Sequence, residues 1–244
     1  MRLLENSVFD LIVKGAGSSR LTYADLGANE GELTCAMWEK LNERRGIVVP
    51  DSTSLTAMAT GVDIDSTLIE RAGGRVEALP EALRGSVTFQ SGNIADPDIL
   101  EERLAKVKGD GGGRITLISL FSTTMWVHVH LGDEKFLDFI KNLCSHSEFL
   151  LIEPQPEKCY TSANKRLRKQ GKEEFDVGKL KILRTGWKGK DKKGEGVERA
   201  IARVVEGEGF VRVEATNHGE SGWGRSIMIF RRKEGKDEET KQHL

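Results

Sequence analysis

Residues 22–32 read TYADLGANEGE, a run of strand formers that closes on an acid, Asp25, and breaks at Gly27 and Gly31 into a helix-forming stretch. A strand that turns on glycine into a helix brings backbone N–H groups and a helix N-terminus up to whatever lies above the turn. That is the loop of a nucleotide-type binding site, and in parallel sheets such sites lie at the C-terminal strand ends.

Outward from the loop the pattern keeps alternating. Apolar residues at helical spacing predict a helix over 1–13, and residues 30–44 predict the helix fed by the loop, with Leu33, Ala36, Met37 and Leu41 inward. Residues 45–56 have the Pro, Ser and Thr chemistry of a surface loop. Strands are predicted over 57–63, 86–90, 114–121 and 148–153, the last stopped by Pro154 and Pro156. Helices fall between them at 97–108 and 133–145, and a further one after 63 has Ser66 as its N-cap. A basic helix over 161–171, a helix over 196–207 and two strands over 210–215 and 226–231 complete the pattern, the strands as an antiparallel closing pair. Strand–helix alternation of this kind makes a doubly wound parallel sheet.

At 244 residues the chain suffices for one α/β domain, expected over 1–233, with 234–244 a charged disordered tail. Lys and Arg number 37 against 38 Asp and Glu, for a net charge of −1, so nucleic acid would have to be met by a local patch. Residues 158–193, rich in Lys and Arg, offer one. The three cysteines, Cys35, Cys144 and Cys159, have no CxxC spacing and suggest neither disulfides nor a metal site. No run reaches the roughly 18 apolar residues of a membrane span, and no leader opens the chain. A monomer in the cytoplasm or nucleus is expected, with no membrane or metal partner.

Which ligand the loop holds follows from its acids. Asp63 closes the second strand, where an acid accepts from ribose hydroxyls, while Asp65 and Ser66 read as helix caps. A dinucleotide loop needs a second glycine where this one has Asn29, and Asp25 is badly placed for an anionic pyrophosphate. A cationic sulfonium suits it better than NAD. The arrangement DLGANEG resembles motif I of the class I S-adenosylmethionine methyltransferases, with Gly27, Asn29 and Gly31 around the cofactor above Asp25.

Three later segments narrow the resemblance: TTMWVHVHLGDE at 123–134, LLIEPQPEKCY at 150–160 and KRLRKQG at 165–171. Together with motif I they resemble the methylphosphate capping enzyme family of bicoid-interacting-three type, and within it the RNA 5′-monophosphate methyltransferases. The likeness runs from about residue 20 to 233. It implies a Rossmann-like, mainly parallel seven-stranded sheet with an antiparallel closing strand. It also implies S-adenosylmethionine as cofactor and a small RNA of tRNA or precursor-microRNA type, with a 5′-phosphate end, as substrate. Cofactor contacts are implied for Gly27, Asn29, Asp63, Asn93 and Phe121, with Ile94 beside Asn93. Thr124, Trp126 and His128 would form the reacting edge.

The chain departs from this family at His130 and Leu131, where an Asn and its neighbour are usual, and at Glu157, where an aromatic is usual. The family's Asn-, Tyr- and Arg-rich segment ahead of the first helix has no counterpart, so either Arg2 and a rearranged terminus substitute or the chain is a shorter form.

Methyl transfer is an in-line displacement in which positioning carries much of the catalysis. A phosphate monoester is anionic already, its second pKa being about 6, so no strong base is required. His128 is the first candidate to hold that phosphate, with structural packing beside Trp126 as the alternative. His130 ranks below it, sharing its face in an extended segment and leaving it in a helix. Lys165, Arg168 and Lys169 share a helix face, with Arg166 to one side; either they grip RNA or they form an ordinary solvated surface. Lys158 and Tyr160 would lie near the same pocket, Tyr160 stacking a base or bonding a phosphate. Trp223 and Arg225, in the last turn, suit RNA, with Trp223 pinning the hairpin to the core as the alternative. A small-molecule or protein methyltransferase on the same fold, and an RNA-binding member without activity, are the competing readings.

Overall fold

In a computed structural model, which describes residues 4–16, 20–49, 57–109, 112–184, 196–213 and 225–234, the chain forms one seven-stranded sheet. In chain order the elements are α1 (Asn6–Ala16), β1 (Leu21–Leu26), α2 (Glu32–Val48), β2 (Ala57–Asp63), α3 (Ser66–Arg75), α4 (Glu81–Arg84), β3 (Val87–Ser91) and α5 (Pro97–Lys108). Then come β4 (Ile115–Phe121), α6 (Thr124–His146), β5 (Ser147–Glu153), α7 (Glu157–Lys169), α8 (Gly196–Gly207), β6 (Phe210–Arg212) and β7 (Met228–Arg232).

The strand order is β3-β2-β1-β4-β5-β7-β6, with β7 antiparallel to both neighbours and the other pairs parallel. Every residue of β1 is buried, as expected of a central strand covered on both faces. One face carries Ile118 and Leu120 under apolar residues of α5, α6 and α8. The other carries Tyr23, Leu117 and Leu151 under α1 and α2. Strand order reverses direction between β1 and β4, and that switch point places the site.

Several boundaries differ from the sequence reading. Helix α2 continues to Val48 instead of ending at 44, and residues 50–56 of the expected loop lie outside the described residues, as does the tail from 235. Asp65, not Ser66, caps α3, its carboxylate accepting from the Thr67 and Leu68 amides. Helix α7 begins at Glu157, directly after Pro156.

The largest difference is α6, which starts at Thr124, nine residues before the expected helix at 133. Its β-branched and aromatic opening, TMWVHV, favours an extended chain. The buried Gln155 side chain overrides that preference: its Oε1 accepts from the Thr124 hydroxyl at 2.9 Å and from the Met125 amide at 2.8 Å. Thr123, at the N-cap position, makes no such bond. The cap comes from 30 residues downstream, which no local pattern reveals. Gly132, at φ 75° and ψ 175°, breaks the helix into two segments.

Gly27 brings the β1–α2 and β4–α6 loops together. At φ +96°, a Cβ there would lie 1.9 Å from Thr123 Oγ1. Gly27→Ala is expected to lose about 1–3 kcal/mol of stability, the scale of a strained backbone position, read as a lower urea midpoint at unchanged slope.

Candidate functional site

The C-terminal ends of β1, β2, β4 and β5, with the loop after β3, wall a cleft of about 1390 Å³. Single-ligand pockets hold roughly 300–1,000 Å³, so the cleft has room for a nucleoside cofactor and a second reactant together.

The loop from β1 differs from the expectation in one respect that decides its ligand. Its amides do not point upward unpaired: Gly27 and Ala28 donate to Val62 O at 2.8 and 3.0 Å, and Gly31 donates to Ala28 O at 2.9 Å. The Asn29 amide donates to Asp63 Oδ2 at 2.8 Å, and that of Glu30 to Asn29 Oδ1 at 2.7 Å. Every N–H from Gly27 to Gly31 is thus taken, which leaves only the first-turn amides of α2 to meet an anion. Gly31 is not part of the cleft wall; it is buried, and a Cβ on it would lie 2.6 Å from the Phe89 ring.

Asp25 stands at the cleft floor, 2% exposed. Thr34 Oγ1 donates to one carboxylate oxygen at 2.6 Å and Ser119 Oγ to the other at 2.7 Å, with Tyr23 Oη 2.9 Å from Ser119. Burial nevertheless raises its pKa from 3.8 to about 6, the two hydroxyls pulling the other way. A buried carboxylate compensated only by neutral donors favours a cation above it.

Asp63 also accepts from the Asp65 amide, at 3.0 Å, so each oxygen is fixed by one backbone donor and keeps capacity for a ligand hydroxyl. Asn93 is fixed the same way, Oδ1 accepting from Ala95 N at 3.1 Å, and it lines the cleft with Ile94 and Phe121. This set of acceptors, acidic and open to hydroxyls beside a turn whose own amides are paired, fits a nucleoside carrying a positive charge.

On the opposite wall the helical start of α6 sorts the sequence candidates. Trp126 and His130, one turn apart, face the cleft, and Trp126 is 45% exposed. Thr124 and His128 face inward with no exposure at all. The expectation that His128 meets a phosphate is therefore corrected: its Nδ1 lies 2.9 Å from Tyr160 Oη, its Nε2 lies 2.8 Å from Asp133 Oδ1, and its ring stacks on Phe136. Burial lowers the His128 pKa, with Asp133 opposing. Tyr160, likewise fully buried, is corrected too: it can neither stack a base nor reach a phosphate.

These inward residues brace the wall. Asp133 Oδ2 accepts from the backbone amides of Lys181 and Ile182 at 2.6 and 3.3 Å, so His128, Tyr160 and Asp133 join α6 to α7 and to the segment beyond it. Asn164 and Phe175 exchange two bonds, at 2.7 and 2.9 Å, which fix Phe175 edge-on to Trp126 with ring centres 5.9 Å apart. Gln155, Asp133, Asn164 and Phe175 were not picked out in the sequence. The one signal was a glutamine between prolines.

On α7, Lys158, Lys165, Arg166 and Lys169 are exposed and form no ion pair among the described residues. Arg168 differs, its guanidinium gripping Glu174 through two bonds of 2.7 Å. Arg225 is turned into the wall, donating to Ser122 Oγ and lying 3.5 Å from Glu153, and Ser122 itself also bonds Glu153. Ser122 sits at φ 54°, a strained position for a non-glycine residue. Trp223 lies outside the described residues. Among the described residues no group of three His, Cys, Asp or Glu side chains is placed to share a metal ion, and no helix is long and apolar enough to cross a membrane.

Comparison with known proteins adds the family. Residues 115–232 match the model of bicoid-interacting protein 3 (Bin3), and the chain is 33% identical over 230 residues to a pre-miRNA 5′-monophosphate methyltransferase of Danio rerio. That alignment covers 94% of this chain and 83% of the relative. The chain belongs to the Bin3 family. An RNA 5′-monophosphate methyltransferase of Mus musculus is 30% identical over 210 residues, covering 86% of this Bin3 chain and 68% of the relative. Among solved structures, magnesium protoporphyrin IX methyltransferase of Synechocystis PCC 6803 with bound SAM shares the fold at a TM-score of 0.51 and 15% identity, over 93% of this chain and 77% of that one.

Two outcomes are expected. Asp25, with its folded pKa raised, contributes stability that is complete below pH 4 and lost as the pH rises through about 6. At about 1.4 kcal/mol per pH unit the loss is on the order of 3 kcal/mol, and Asp25→Asn should flatten that slope in denaturation measured from pH 4 to 8. Asp133→Ala should lower the unfolding free energy by about 1–3 kcal/mol, because it strands the buried His128 nitrogen, as chemical denaturation would record.

Proposed function

We propose that this chain transfers a methyl group from S-adenosylmethionine to the 5′-phosphate of a small RNA, of tRNA or precursor-microRNA type. The observation that carries the cofactor half is the turn after β1, whose amides are all internally bonded above a buried, incompletely compensated Asp25. Such a floor suits a sulfonium and not a pyrophosphate. Asp63 would accept from the ribose hydroxyls, Asn93 and Ile94 would meet the adenine, and Phe121 and the Gly27–Asn29 turn would enclose the rest. The RNA half rests on Bin3 membership and on the names of the relatives, which act on 5′-monophosphate ends.

When bound, the cofactor supplies an electrophilic methyl group. The chain's own residues have the task of bringing a phosphate oxygen into line with it, and since that oxygen is already anionic near neutral pH, no general base is called for. Lys158, Lys165, Arg166 and Lys169 on α7 would hold the flanking RNA backbone beside the cleft, by contacts that weaken with salt. The Glu174 partner leaves Arg168 a smaller share.

Labelled S-adenosylmethionine, offered with one RNA sequence bearing either a 5′-monophosphate or a 5′-hydroxyl, tests the proposal. Label should enter the phosphorylated RNA alone; equal labelling of the two overturns it, and transfer to neither RNA overturns it as well.

A further inference from the structure

The charge on the cleft wall is lopsided. Asp25, Glu30, Glu32, Asp63, Asp65 and Glu153 all line it, and among the described residues no lysine or arginine does. Some of this charge is answered from outside: Arg71 and Arg75 bond Glu30 at 2.8 and 3.2 Å, and Arg225 lies 3.5 Å from Glu153. What remains suits a cation but repels a phosphate dianion. A 5′-phosphate entering this cleft must find its donor elsewhere, and the wall offers one ionisable base, His130.

His130 is exposed, lines the cleft and makes no hydrogen bond among the described residues, in contrast to His128, whose two nitrogens are both occupied. An imidazole donates a hydrogen bond whether neutral or charged. One turn earlier on the same helix face, Trp126 presents an exposed ring, held edge-on by Phe175. An indole platform takes any base by stacking. Arg225, the other cation nearby, is only 16% exposed and already committed to Ser122 and Glu153.

Resting on the function proposed above, we infer that His130 is the residue that meets the 5′-terminal phosphate, with Trp126 as the platform for the first base. The pair forms a terminal-nucleotide subsite on α6, facing the cofactor across the cleft. A single imidazole among so many acids answers the charge of a monophosphate better than that of a triphosphate, so the subsite selects short phosphate ends.

The experiment uses the full chain loaded with S-adenosylhomocysteine and a short oligoribonucleotide carrying a 5′-monophosphate or a 5′-hydroxyl. Wild type should prefer the phosphorylated end by about tenfold, the scale of one hydrogen bond to a charged group. His130→Ala should shrink the preference to about twofold or less while affinity for S-adenosylhomocysteine and for the 5′-hydroxyl strand stays unchanged. In wild type labelled with 15N-histidine, the His130 ring signals should move with the phosphorylated strand and not with the other. A preference that survives in His130→Ala, or ring signals that do not move, overturns the assignment of His130 alone. No preference in wild type overturns the functional reading with it.

Discussion

The cleft depends on a hydrogen-bonded set that never touches it: His128 between Tyr160 and Asp133, at 2.9 and 2.8 Å, with Asp133 also holding the amides of Lys181 and Ile182. Four chain segments meet there, namely the first part of α6, the start of its second part after Gly132, α7 and the stretch that follows α7. Each of these polar groups is costly to bury without a partner, so they hold one another in a single arrangement. That arrangement fixes the direction in which Trp126 and His130 face, and seats the basic helix beside the cleft. A histidine that looks catalytic in a motif can thus serve by locking the wall that carries its neighbours.

Across the cleft a different economy of charge holds. The turn after β1 spends all its amides on Val62, Asp63, Asn29 and Ala28, which makes it a rigid rim instead of an anion cradle. Asp25 below keeps its charge at neutral pH at the cost of burial, held by two hydroxyls. Rim and floor together invite a positive, hydroxyl-bearing ligand. The α6 wall, with an indole, an imidazole and Phe175, is where the inference above puts a base and a phosphate. On the proposed reading, two ligands of opposite charge character would occupy opposite sides of one space, which is the arrangement an in-line transfer between them requires.

What the sequence determined by itself is the sheet and one half of the site. Alternation of apolar runs with helical stripes is a local property, and it set the strand–helix order; β2, α5 and α8 match the expected ranges. Asp25 and Asp63 were legible because each closes a strand, where chain order alone puts a side chain at the rim of a parallel sheet, while Asn93 and Phe121 were implied by the family resemblance. Asn29 was legible because the absence of a glycine is itself local.

The other half was decided only by the tertiary structure. Whether residues 124–131 run as strand or helix exchanges the faces of His128 and His130, and the deciding cap, Gln155, arrives from beyond β5. The fate of each charged side chain depended in the same way on partners distant in the chain: Asp133 for His128, and Glu153 and Ser122 for Arg225. Local sequence sets propensity and period, but a side chain's direction and its hydrogen-bond partner are settled by packing. Motif I could therefore be read from its own residues, while the wall opposite it became readable only once α6, α7 and β5 had been brought together.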